Sequence, residues 1–224
     1  MGMLVSDYLH TSHGEDSMTG QAEHKPLTPR QEEILDRTLE LVREMGIGGL
    51  TTRKIAEGVG FTEAALFRHY PTKQALLLAL MDRLEDLLVE PIARIAADGA
   101  VGAAERLERM VRHHTTVVRQ FNSLPIILLA EASVSGDTAL VDRMRAIFER
   151  YLSLLEEVVR AGQASGQLVG AIQPDCIAML LLGAPAGLAI RHRLLPDAAA
   201  EDRFEELLIP FLRASIDTGE GSAT

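Results

Sequence analysis

Six consecutive positions, Glu63 to Arg68, carry an acid, two alanines, a leucine, a phenylalanine and a guanidinium. A carboxylate such as that of Glu63 accepts from a cytosine amino group. A guanidinium such as that of Arg68 donates to guanine, and Ala64 or Phe67 can lie against a thymine methyl. This is the chemistry of reading base edges in a DNA major groove, and it requires a rigid rod to present the side chains together.

The flanking sequence, TTRKIAEGVGFTEAALFRHYPTK from Thr51 to Lys73, predicts such a rod. Thr51 suits the N-cap of a first short helix, and Ile55, Ala56 and Val59 give that helix one apolar face. Gly58 and Gly60 are expected to break it, Gly60 supplying the positive φ of a tight turn. Thr62 then caps a second helix with Leu66 turned inward. Its Glu63, Ala64, Ala65, Phe67, Arg68 and His69 point outward. Past Pro71, Lys73 stands at another helix N-terminus, where backbone N–H groups already favour an anion.

These residues resemble the tetracycline-repressor (TetR) family of one-component bacterial regulators, most strongly from Leu50 to Leu80. The shared features are LTTRKIAEGVGF, the aromatic pair Phe67 and Tyr70, and Lys73 just after Pro71. The resemblance implies an all-α fold, with a three-helix DNA-binding domain and a larger helical ligand-binding and dimerisation domain. It adds Arg53 as a base contact and Thr52, Ala65, His69, Tyr70 and Lys73 as phosphate contacts, completing a DNA-binding set with Thr62, Glu63, Ala64, Phe67 and Arg68. The family pattern usually has tyrosine at position 67 and phenylalanine at position 70. The inversion here moves the expected hydroxyl contact from Phe67 to Tyr70.

The chain has 224 residues, 47% of them apolar, which suffices for a buried core. Its single cysteine, Cys176, excludes an internal disulfide framework and suits a reducing cytoplasm; its apolar neighbours predict burial. No secretion signal is legible at the start, and the run CIAMLLLGAPAGLAI is Gly- and Pro-interrupted and short for a membrane span, so no membrane partner is expected. The net charge of −10 is unevenly spread. Residues 1–23 hold four acids and no base, residues 24–75 eight bases and seven acids, and residues 76–224 fourteen bases and twenty-one acids. An acidic body with a near-neutral head disfavours DNA binding by any other face.

The organisation expected is a flexible extension over 1–27, a DNA-binding domain over 28–75, a helical body over 76–218 and a short tail over 219–224. Thr28, Pro29 and Gln31 open the first helix with capping-box spacing, and Ile34, Leu35, Thr38, Leu41, Val42 and Met45 share its inner face. A longer helix from Thr72 carries a leucine stripe to about Pro91. From Ala103 to Phe121 a stripe of Leu107, Met110, Val111, His114, Val117, Val118 and Phe121 predicts a buried helix. Further helices are expected from Pro125 to Ala132, from Asp137 to about Gly162, from Pro174 to Arg193 and from Ala198 to Asp217. The penultimate one is apolar nearly all round, so it must be covered on several sides.

In TetR-like proteins the last two helices form the dimer interface, which here implies Leu182, Gly183, Gly187, Phe204, Leu208 and Phe211. A pocket for a hydrophobic small-molecule effector is expected among His114, Val117, Phe121, Met144, Phe148, Tyr151 and Met179, with Glu131 at the solvent edge. Arg143, Arg145 and Arg150 read as a solvated helix face. No cofactor or metal is expected, and catalysis is not: there is no phosphate-cradling glycine loop, no nucleophile elbow, and the adjacent His113 and His114 diverge by about 100° on a helix. The function expected is a homodimeric regulator, a repressor by default, bound to a near-palindromic double-stranded operator and released by its effector. The alternative is a helical small-molecule-binding or interaction protein without DNA binding.

Overall fold

The computed structural model describes residues 27–45, 51–121, 123–194 and 210. Its elements in chain order are α1 (Pro29–Met45), α2 (Thr52–Val59), α3 (Glu63–His69), α4 (Lys73–Leu84), a π-helical turn (Glu85–Val89), α5 (Glu90–Ala96), α6 (Ala103–Gln120), α7 (Leu124–Ser135), α8 (Thr138–Ala164) and α9 (Pro174–Leu194). The all-α class expected from the sequence is what the described residues adopt.

The N-terminal helices pack α1 on α2, α2 on α3 and α1 on α4; α6, α8 and α9 pack together behind them. One apolar cluster runs through both regions, from Ile34, Leu35 and Val42 of α1 through Leu80 and Met81 of α4 to Leu155 of α8 and Leu181 of α9. The helix that begins at Lys73 therefore belongs to both layers. At the start of α1, Thr28 just ahead of the helix and Gln31 within it make the expected reciprocal cap: the Gln31 side chain accepts from the Thr28 N–H (3.0 Å) and Thr28 Oγ1 accepts from the Gln31 N–H (3.3 Å).

Several expectations are overturned. Gly58 does not break α2 but lies inside it, where a Cβ would sit 2.9 Å from Leu41 Cδ1, so it permits close approach to α1. Pro91 does not end its helix either. It falls in the first turn of α5 directly after the π turn, and the helical path continues from Lys73 to Ala96. Proline has no N–H to offer the Leu87 carbonyl four residues earlier, and His113 Nε2 of α6 lies 2.9 Å from that oxygen. Since a carbonyl only accepts, His113 is protonated at Nε2 and replaces the missing donor.

Arg143 is not on a solvated face. Its guanidinium is largely buried between Asp82, at 2.6 Å, and Glu85, while Arg150 bonds Glu85 and Glu90, each at 2.7 Å. Burial would raise the Glu85 pKa, but the two arginines more than reverse this and hold its carboxyl below the usual range. The cluster clamps α8 to the π turn. Arg145, by contrast, is exposed and pairs with Asp142.

Gly183, Pro185 and Gly187 leave α9 continuous over 21 residues. By length and composition alone Pro174–Arg191 could cross a membrane, but the helix packs on α6 and α8. Cys176 is exposed rather than buried, because it faces away from those helices in the first turn. The predicted extension up to residue 26, the last helix apart from Pro210, with its Phe204, Leu208 and Phe211, and the C-terminal tail lie outside the described residues.

Candidate nucleic-acid interface and ligand cavity

Local capping builds the reading head. Thr51 Oγ1 accepts from the Lys54 N–H at 3.2 Å and starts α2; Gly60, at φ 74°, ends it. The Gly60 N–H bonds the Glu57 carbonyl and the Phe61 N–H the Ala56 carbonyl, a Schellman closure that only a residue free to adopt positive φ makes without strain. Two residues on, Thr62 Oγ1 accepts from the Ala65 N–H at 3.2 Å and starts α3, and Thr72 Oγ1 caps α4 through the Ala75 N–H at 3.0 Å. Leu66 is the buried anchor of α3; Glu63, Ala64, Phe67 and Arg68 are exposed and Ala65 and His69 partly so.

Arg68 makes no hydrogen bond or ion pair among the described residues, so its guanidinium is available to a partner. Glu63 is held from α2, its carboxylate accepting from Thr52 Oγ1 at 2.9 Å. Arg53 is exposed and pairs with Glu57 along α2 at 3.0 Å. His69 stacks on Phe61 at a centroid distance of 6.0 Å, with the Arg30 guanidinium 4.4 Å from the same ring.

Tyr70 departs from its expected role as a phosphate contact. It is buried, its hydroxyl donates to the Gln31 carbonyl at 3.1 Å, and burial pushes its pKa up to about 12. The hydroxyl is spent inside the head, tying α3 to α1. The Gln31 side chain completes that tie by donating to the His69 carbonyl at 3.2 Å. Lys73 is exposed at the start of α4, and its Nζ lies 2.6 Å from Glu131 of α7; beside it Gln74 bonds Asp137, the residue that caps α8, also at 2.6 Å.

A cavity of about 420 Å³ opens between the π turn, α6, α7 and α8. It brings together four of the predicted residues, His114, Met144, Phe148 and Tyr151. The other three are elsewhere. Val117 and Phe121 are buried against the core without reaching the cavity, where their neighbour Val118 stands instead, and Met179 is exposed on α9. Leu84 and Leu88 around the π turn, Pro125, Ile126 and Leu129 of α7, and Arg145 of α8 also line it. The apolar types of all but Arg145 gave no signal distinguishing a cavity wall from ordinary core, and Arg145 reads from sequence as a solvated residue.

Deep in the wall, His114 Nδ1 is 3.0 Å from the Tyr151 hydroxyl, the rings meeting edge to face at 5.1 Å. Burial, and secondarily the neighbouring His113, push the His114 pKa down to about 4, so it is neutral at pH 7. Burial likewise pushes the Tyr151 phenol up. On α9, Leu182 lines the cavity, while Gly183 and Gly187 are exposed on an adjoining face.

Among the described residues no cluster of His, Cys, Asp and Glu could hold a metal ion. What the arrangement offers is an exposed rod and, behind it, a partly open apolar cavity, joined by α4.

That combination defines a class: a one-component regulator with a helix-turn-helix head and a helical sensor body. Two family profiles match the chain, "Bacterial regulatory proteins, tetR family" over residues 34–80 and "Tetracyclin repressor-like, C-terminal domain" over residues 100–189. The nucleoid occlusion factor SlmA of Vibrio campbellii is 35% identical over 135 residues, 59% of this chain and 68% of its own length. Among solved structures, the MbdR regulator from Azoarcus sp. CIB superposes with a TM-score of 0.68 at 24% identity, covering 81% of this chain and 95% of its own. AibR in complex with isovaleryl coenzyme A and operator DNA gives 0.62 at 21% identity, covering 81% and 97%. The chain belongs to the TetR family of bacterial regulatory proteins, and it is a DNA-binding transcriptional regulator.

Proposed function

We propose that this regulator binds a near-palindromic operator as a homodimer, represses transcription there, and is released when a small apolar molecule occupies the cavity between α6, α7 and α8. The observation that carries the reading is the path of a single helix. Lys73 opens α4 beside the reading rod, and Leu84 and Leu88, about three to four turns further along the same path, form part of the cavity wall. A ligand that displaces those leucines acts directly on the element that sets the attitude of the head. AibR, a fold neighbour, was solved with both an acyl-coenzyme A and operator DNA, which supports the pairing of the two sites.

In this reading Arg68 and Glu63, with Arg53, meet base edges, and Ala64 and Phe67 supply apolar contact to thymine. Thr52, Thr62, Ala65, His69 and Lys73 lie against the backbone; Tyr70 supports α3 from within. The head is residues 28–75 and the body residues 76–218. Two heads on a dimer axis need half-sites about one helical turn, roughly 34 Å, or a multiple apart. The exposed face of α9 around Gly183 and Gly187 is the natural place for that axis, with Leu182 shared between interface and cavity.

Lys73 links the two functions. Reaching a phosphate requires its ammonium to leave the Glu131 carboxylate, and Glu131 sits on α7, whose Pro125, Ile126 and Leu129 wall the cavity. A shift of α7 on ligand binding changes how tightly Lys73 is held. Ligand can move the operator equilibrium only by its differential affinity for the two shapes, typically 1–3 kcal/mol.

The test is fluorescence anisotropy with the DNA upstream of the protein's own gene, with and without a ligand found by thermal-shift screening. Saturable binding that the ligand weakens is the expected result. Absence of binding at low ionic strength by folded protein would sink the reading.

A further inference from the structure

Almost the whole cavity wall is hydrocarbon, contributed among others by Leu84, Leu88, Val118, Ile126, Leu129 and Phe148. Ser133 also lines it, but its hydroxyl hydrogen is taken by the Leu129 carbonyl at 2.8 Å. Against this background stands one buried polar pair, His114 and Tyr151, 4% and 1% exposed. Their mutual hydrogen bond, 3.0 Å long, is the only one either side chain makes among the described residues.

The hydrogen count of that pair decides what it can bind. A neutral imidazole carries one N–H and a phenol one O–H, so the pair has two hydrogens and its mutual bond uses one. If the phenol donates to Nδ1, the imidazole hydrogen is on Nε2 and remains. If Nδ1–H donates to the phenol oxygen, the phenolic hydrogen remains. Either tautomer leaves one unused donor on a residue that lines the cavity, and a donor that meets apolar surroundings without a partner is costly. An anion is a poor answer to it. The imidazole stays uncharged well below neutral pH, and the one arginine of the lining, Arg145, is at the exposed edge and is held by Asp142 at 2.7 Å.

We propose that the cavity takes an uncharged, largely apolar molecule bearing an oxygen acceptor, such as a ketone, ester or amide carbonyl, which receives the spare hydrogen of the His114–Tyr151 pair. This deepens the reading of the cavity as the effector site and rests on it.

Three probes of matched shape separate the possibilities by calorimetry on the full chain: benzylacetone, butylbenzene and phenylbutyrate. In the wild type benzylacetone is bound, and its carbonyl infrared stretch, read from an isotope-labelled probe, moves below its frequency in hexane. His114→Phe and Tyr151→Phe each leave one donor and keep the preference. The double variant lacks both and loses on the order of tenfold in affinity for benzylacetone relative to butylbenzene. An unshifted carbonyl stretch, or an affinity ratio unchanged in a folded double variant, overturns the proposal. So does tightest binding of phenylbutyrate that Arg145→Gln abolishes. If the folded wild type binds none of the three at millimolar concentration, the effector site itself is lost, a failure distinct from a wrong polarity. The infrared measurement needs only the wild type and stands even if the double variant does not fold.

Discussion

The outward face of α3 and the wall of the cavity treat polar groups in opposite ways. On α3 the side chains able to recognise a partner are exposed and arranged side by side, and Arg68 has no partner among the described residues. In the cavity, apart from Arg145 at the exposed edge and Ser133, whose hydroxyl donates to the Leu129 carbonyl, the polar content is a buried histidine and phenol that bond each other and leave a single donor. The first arrangement suits a highly charged, hydrated polymer met by many weak, salt-sensitive contacts. The second suits a molecule removed from water, where hydrophobic burial supplies affinity and one hydrogen bond supplies selectivity. One helix with two ends lets a protein of this size keep both environments without mixing them.

The sharpest way to break this comparison is to delete the exposed cation. Arg68→Ala should weaken operator binding by about 1–3 kcal/mol at each half-site, roughly 5- to 150-fold per head, while ligand binding and melting temperature stay unchanged. Titration of labelled operator beside a thermal melt checks both. Equal loss of ligand affinity would show that head and cavity are not separate environments.

Acid should strike only the body. His114 has a folded pKa of about 4 against an ordinary 6.5, so the unfolded chain binds the extra proton first as pH falls. Its contribution is fully present above pH 6.5 and is lost progressively between 6.5 and about 4, amounting to about 3 kcal/mol at most. Denaturant melts across that window should show the decline, and His114→Phe should flatten it. A decline of the same size in the variant would assign acid sensitivity to other groups.

Tyr70→Phe sharpens the boundary from the head's side. Removing the hydroxyl that donates to the Gln31 carbonyl should cost roughly 0.5–1.5 kcal/mol of stability. It should leave the salt dependence of operator binding untouched, because a buried hydroxyl neutralises no phosphate. A shallower salt slope, measured by repeating the titration over a range of ionic strength, would restore Tyr70 to the phosphate contacts.

The two regions also differ in how far the sequence discloses them. The head is governed by short-range rules: a threonine ahead of each of three helices, a glycine at the positive-φ turn between α2 and α3, and a leucine four residues after Thr62 are enough to orient Arg68 and Glu63. What escaped there is long-range, the turn of Tyr70 toward α1 and the close approach at Gly58 that keeps α2 helical. In the body, periodicity located α6 and α8 and singled out His114 and Tyr151, since polar atoms on apolar stripes stand out. It could not tell Val118 from Val117, because both are buried valines on the apolar side of α6 and only the tertiary packing around them decides which one meets empty space. Pro91 misled for a related reason: the His113 donor that replaces its missing N–H comes from a different helix, 26 residues in sequence from the Leu87 carbonyl it meets.

The smallest effect probes the seam between the regions. Lys73 and Glu131 are 2.6 Å apart, but their side chains are 62% and 37% exposed, so their attraction is largely screened and is worth about 0.2–1 kcal/mol. Glu131→Gln should therefore tighten operator binding only about two- to fivefold, by freeing the ammonium for phosphate. Removing an acid near the duplex would by itself help somewhat, so the decisive measurement is the double-mutant cycle with Lys73→Gln. If Lys73 divides its time between carboxylate and phosphate, most of the gain disappears in that background. If the gain persists undiminished, Glu131 acts as a distant repelling charge, and the coupling between cavity and head must run through the packing of α4 alone.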